Sequence, residues 1–116
     1  MSSPVQASSG HAVLDVSDAD FDATISAATT PVLVDVWASW CGPCRLMAPL
    51  MVWAAGAYAG RLQVVKLEAD PNPRSRDSCG IQGLPTLLIF RDGKEIGRHE
   101  GALAQSQLQA FLDAHL

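Results

Sequence analysis

The sequence predicts an α/β domain, a mixed central β-sheet flanked by helices on both faces, in the order β-α-β-α-β-α-β-β-α. Three observations predict it. Two largely apolar, β-branched runs, Pro31–Trp37 (PVLVDVW) and Arg61–Glu68 (RLQVVKLE), read as strands covered on both faces. Helix-length stretches separate the early strands, and such crossovers imply parallel pairing. Near the C-terminus Asp92-Gly93 reads as a two-residue hairpin turn, so the strands it joins must be antiparallel.

Each element has its own signal. Ala12–Val16 is a short apolar strand. Asp18, Asp20 and Asp22 crowd the start of a helix over Ala19–Ala28, where carboxylates suit the positive end of the dipole. Thr29-Thr30-Pro31 ends it before the strand Pro31–Trp37. The long helix runs from about Cys41 to Tyr58, with Pro43 tolerated in its first turn and Pro49 expected to kink it. After the strand Arg61–Glu68, the turn cluster Asp70-Pro71-Asn72-Pro73 leads into a short helix near Arg74–Cys79. Pro85–Arg91 and Lys94–His99 form the hairpin. Ala104–His115 closes the chain as a helix with Leu108, Phe111 and Leu112 on one face.

Length and composition narrow the class. At 116 residues the chain fits one compact domain. Residues 1–10 (MSSPVQASSG) are small and polar and read as a disordered tail, leaving 11–116 as a single domain. That opening stretch has neither the basic nor the apolar region of a signal peptide. No apolar run reaches the roughly 18 residues of a membrane span, so a cytoplasmic protein is expected. Eight Lys and Arg against twelve Asp and Glu give a net charge of −4, and the first 44 residues hold five Asp and no Lys or Arg. Such a chain lacks the basic stripe that nucleic acid requires, and an anionic membrane would repel it.

The chemistry concentrates in Trp40-Cys41-Gly42-Pro43-Cys44, where an apolar strand hands over to a helix. Two cysteines three residues apart at a helix start lie about one turn from each other, close enough to bridge. Cys41 meets the free N–H groups of the helix N-terminus, which stabilise a thiolate, so it reads as the nucleophile. Cys44, one turn in, is expected to be the more buried and to resolve the mixed disulfide. A structural zinc site wants four ligands, and Cys79, His11, His99 and His115 show no spacing that completes one. No metal is expected. Asp35, flanked by Val34 and Val36, reads as a desolvated carboxyl or as an acid at a strand edge satisfied by water. Lys66 interrupts the other apolar strand and reads equally as a snorkelling surface lysine. Cys79 reads as a small hydrophobe filling the end of a short helix, or as a redox-regulatory thiol.

From Val13 to Leu116 the chain resembles the thioredoxin family. The likeness rests on WCGPC, on Asp35 in VLVDVW, on Lys66 in VVKLEAD, on Pro85 in GLPTL, and on Gly101 after the hairpin. WASWCGPCRLMAPL and VVKLEADPNP look most like cyanobacterial members. The resemblance implies a thioredoxin fold and a dithiol–disulfide oxidoreductase that reduces disulfides of target proteins. Asp35 then matches the carboxylate that accepts the Cys44 proton, and Lys66 the lysine near it. The sequence itself does not decide whether Leu84–Pro85 is cis; the resemblance implies that it is. Trp40, Gly42, Pro43, Gly83, Leu84, Pro85, Gly101 and Ala102 would line a shallow substrate groove that reads extended backbone. Glu100 puts an acid at its rim, where many members are apolar.

The chain shows no nucleotide fingerprint and needs no cofactor of its own. Electrons would therefore come from a partner, a thioredoxin reductase dependent on NADPH or ferredoxin, and the protein would act as a monomer. The alternatives are a non-redox binding or chaperone module on the same fold, and a disulfide isomerase. On the long helix Cys44, Met47, Met51, Ala55 and Tyr58 recur at three- and four-residue steps and mark a sheet-facing stripe. Trp53 lies about 200° from Met51. With Val52 it is expected to form an exposed apolar patch, unless a kink at Pro49 rotates it into a crevice.

Overall fold

The computed structural model describes residues 12–116, so the tail expected over 1–10 lies outside the described residues. The chain order is β1 (Val13–Val16), α1 (Phe21–Ala27), β2 (Val32–Trp37), α2 (Gly42–Ala57), β3 (Gln63–Glu68), α3 (Pro73–Ser78), β4 (Thr86–Arg91), β5 (Lys94–Glu100) and α4 (Gln105–His115). The five strands form one sheet in the order β1-β3-β2-β4-β5. β1 and β2 run parallel to β3, whereas β2–β4 and β4–β5 are antiparallel. The mixed α/β architecture and its element order are those the sequence predicts.

Strand alternation decides what faces the site. Side chains two apart in a strand share one face of the sheet. Leu33 and Val64 pack with Met47 and Met51 of α2 and with Leu108 and Leu112 of α4. Val32, Val34, Val36, Val65 and Leu67 pack on the other face with Phe21 and Ile25 of α1. Each of these side chains is withdrawn from water, which contributes about 2 kcal/mol apiece. Asp35 and Trp37 share the parity of Leu33, and Lys66 that of Val64. All three therefore face α2.

Several local expectations change. Asp20 is the N-cap of α1 and Asp22 lies in the first helical turn, as expected. The Asp20 carboxylate, however, accepts the Ser17 N–H at 2.6 Å rather than an N–H of the helix, and Asp18 does not serve α1. Asp18 instead caps α3 from 56 residues away, its carboxylate accepting the backbone N–H groups of Arg74 (3.1 Å) and Ser75 (2.7 Å). Burial alone would raise the Asp18 carboxyl, but the hydrogen bonds from Ser75 and Arg74 hold it below the usual carboxylate range. The helix α2 runs through Pro49 without interruption. The hairpin turn is as expected, with Asp92 (φ 54°) and Gly93 (φ 78°) both left-handed.

The expected sheet-facing stripe is buried, and Ala54 joins it. Val52 is exposed. Trp53, however, is half-buried, packs against the core and meets the Tyr58 ring edge-on at 6.0 Å. A large indole can lie along its own helix even where its Cα faces away from the stripe. The joint Val52–Trp53 patch is thereby corrected to Val52 alone.

Candidate active site

The cysteines sit where β2 ends and α2 begins. Cys41 is the N-cap of α2 in extended conformation, and Pro43 occupies the first turn. The Cys44 N–H donates to Cys41 Sγ at 3.2 Å, which satisfies one of the free donors of the helix start. The two sulfurs are joined in a disulfide, with their Cα atoms 5.3 Å apart. This is the oxidised state. Burial does not separate them as expected, because Cys41 is 4% exposed and Cys44 5%. Ala38, Trp37 and Leu84 pack around both. What distinguishes the two sulfurs is their place at the helix terminus rather than gross accessibility.

Behind Cys44 lies a cavity of about 240 Å³ lined by Asp35, Trp37, Ala38, Ser39, Cys44, Arg45, Ala48 and Lys66. Asp35 and Lys66 are register partners on adjacent parallel strands. Both Asp35 carboxylate oxygens are buried without a hydrogen-bond partner. Burial pushes this carboxyl up to about 6, against the opposing pull of the Lys66 charge. The strand-edge alternative for Asp35 is excluded by its 1% exposure. Lys66 is half-buried, with Nζ 4.7 Å from the centre of the Trp37 ring. It snorkels, but along the wall of this cavity.

The Leu84–Pro85 peptide is cis. Pro85 is buried, and its carbonyl accepts the Gly101 N–H at 2.8 Å. Gly101 takes φ 98°, a conformation that favours glycine, and this turn brings the end of β5 beside Pro85. Gly83 and Leu84 line a groove of about 210 Å³ together with Trp40, Ala69, Asp70, Arg76 and Ile81. Trp40 is strongly exposed, and its indole N–H donates to Asp70 at 2.8 Å. Gly42 and Pro43 are exposed on the first turn of α2, and a Cβ at Gly42 or Gly83 would meet open space. Ala102 is exposed after Gly101, and no hydrogen bond or cluster ties it to the cysteines.

Sequence reasoning missed Asp70, which orients Trp40, and Ser39, Arg45 and Ala48, which close the Asp35 cavity. Asp70 carried only a turn signal, since its partner lies 30 residues away. Cys79 caps the end of α3 and is half-buried, packing against the core cluster that holds Phe21, Ile25 and Leu88. Burial pushes its thiol up, consistent with the packing role.

The thioredoxin family model matches residues 12–114. The chain is 45% identical to thioredoxin of Pseudomonas aeruginosa over 90% of this chain and 96% of that one. It is 47% identical to thioredoxin of Acidithiobacillus ferridurans over 90% and 97% of the two chains. A thioredoxin-like protein of Synechocystis is 44% identical over 90% and 95%. The three identities are alike.

Proposed function

The chain belongs to the thioredoxin family and is a dithiol–disulfide oxidoreductase, a protein-disulfide reductase, and we propose that Cys41 is its attacking thiol and Cys44 its resolving thiol. The observation that carries this assignment is the N-cap geometry. A sulfur that accepts the Cys44 N–H at the positive end of α2 is the one whose thiolate the backbone stabilises.

The reaction then runs in two exchanges. In the reduced protein the Cys41 thiolate attacks one sulfur of a target disulfide, and the other target sulfur leaves as a thiolate. Asp35, which shares a cavity with Cys44, takes the Cys44 proton. The resulting Cys44 thiolate attacks Cys41 Sγ, releases the second target sulfur, and forms the disulfide seen here. Lys66 tempers the charge on Asp35 from the neighbouring strand. Trp40, Gly83 and Leu84 line the groove over which the target segment lies, and the family likeness adds Gly42, Pro43, Pro85, Gly101 and Ala102 around it.

Regeneration needs two electrons from outside the chain, supplied by a thioredoxin reductase that draws on NADPH or ferredoxin. The setting we infer is a monomeric cytoplasmic protein of redox homeostasis and electron transport. No described helix is long and apolar enough to cross a membrane. Turnover of insulin disulfides with dithiothreitol as reductant tests the activity, and Cys44→Ser tests the assignment. That variant should accumulate a covalent insulin adduct through Cys41. An adduct that forms only with Cys41→Ser would reverse the two roles.

A further inference from the structure

We propose that the outer face of α2, carrying Leu46, Pro49 and Val52, is a docking surface that extends the approach to Cys41 and receives an apolar face of the disulfide-bearing target. It rests on the reading that targets meet Cys41. Among the described residues, the three most exposed large hydrophobics are Trp40 at 68%, Leu46 at 66% and Val52 at 63%. They bracket the cysteines in sequence and continue down the helix that the cysteines open.

The helix places them on one side. Cys44, Met47, Met51, Ala54 and Ala55 face the core. At about 100° per residue, Pro49 points most directly away from that stripe, with Leu46 and Val52 about 60° to either side. Gly42 and Gly56 share this outward side, and a Cβ on either would meet open space. The single charge of α2 is Arg45, at the active-site end, whose guanidinium turns back to the Ser39 carbonyl at 3.5 Å. From Leu46 to Gly60 the chain carries no charge.

A helix face with this composition is ordinarily covered. The occupant follows from continuity. Leu46 lies one turn beyond Gly42, and Val52 lies about 15 Å along the axis from it, within the reach of a partner already seated at Cys41. A face without charge gives a charged partner nothing to pair with, so the matching surface is apolar and its binding is weakly salt-dependent.

The test compares a protein disulfide with one that has no surface to dock. Steady-state reduction of insulin and of hydroxyethyl disulfide is measured for wild type, Val52→Glu, Val52→Leu and Ala110→Glu. Ala110 is exposed on α4, so the last variant adds the same charge elsewhere. Val52→Glu should raise the KM for insulin roughly tenfold with kcat held, and leave hydroxyethyl disulfide reduction as in wild type. Val52→Leu and Ala110→Glu should match wild type on both. An insulin KM for Val52→Glu within about twofold of wild type, or an equal rise in Ala110→Glu, would overturn the docking surface. A wild-type protein that reduces neither disulfide would overturn the oxidoreductase reading beneath it.

Discussion

The backbone N–H of Cys44 points at the Sγ of Cys41 across 3.2 Å, so each active-site cysteine is defined by the other. One supplies the donor and the other the cap. The two thiols are buried alike, so the roles we propose for them rest on this relationship and on the cavity behind Cys44.

In the reduced protein, iodoacetamide at limiting dose should label Cys41 before Cys44 and Cys79. The N-terminal turn of α2 is placed to stabilise the Cys41 thiolate, whereas burial pushes the Cys79 thiol up. Peptide mapping by mass spectrometry reads the order, and preferential labelling of Cys44 would contradict it.

Asp35→Asn should leave the first exchange near its wild-type rate and slow resolution, since an amide cannot take the Cys44 proton. The defect should shrink as pH rises and the Cys44 thiol ionises unaided. Rapid-quench trapping of the mixed disulfide measures both steps. Equal resolution rates for the variant and wild type between about pH 6 and 8 would remove Asp35 from the proton path.

The same carboxyl makes stability depend on pH. Its folded value, about 6, lies above the ordinary value of 3.8, so the unpaired acid favours folding only while protonated. Its stabilising effect is complete below about pH 4 and is lost as pH rises through about 6. Above that, Asp35→Asn should be the more stable protein by about 3 kcal/mol, an advantage that vanishes in acid. Urea denaturation of the oxidised proteins at pH 4 and pH 8 checks the sign.

Cys79 is the one free thiol of the oxidised protein among the described residues. Burial pushes this thiol up, opposed chiefly by the Ser78 hydrogen bond, with Glu95 and Arg98 acting less strongly and in opposite senses. Its alkylation should be at least about tenfold slower in the folded than in the urea-unfolded protein. Mild peroxide should produce no disulfide-linked dimer on a non-reducing gel.

Gly97 in β5 is required by a side chain at the far end of α4. A Cβ there would meet the His115 ring at 2.7 Å, and that ring is held by its Nδ1 contact with the Phe111 carbonyl at 2.8 Å. Gly97→Ala should cost about 1 kcal/mol. In a His115→Ala background the penalty should disappear, a coupling that a double-mutant cycle by thermal denaturation resolves.

The sequence by itself determined the element order, the hairpin, the sheet-facing stripe of α2 and the redox pair. These depend on interactions within a few residues: apolar period, turn chemistry, and two sulfurs one helical turn apart. The likeness to thioredoxins added the roles expected of Asp35, Lys66 and Pro85, which short-range patterns alone left open.

Tertiary structure decided the rest. Only the alternation of two paired strands turned Asp35, Trp37 and Lys66 toward α2 and set them in one cavity with Cys44. Asp18 reads locally as the acid of its own helix, yet it caps α3, because the Arg74 and Ser75 N–H groups offer it a stronger site. Trp53 reads as outward by helical angle, yet its ring found Tyr58. For Asp18 the partner lies beyond the reach of local periodicity, whereas for Trp53, five residues from Tyr58, helical angle gives the direction of the Cα and not the path of the ring. A side chain's burial and bonding belong to what the fold brings beside it, whereas its helix or strand belongs to its neighbours in sequence.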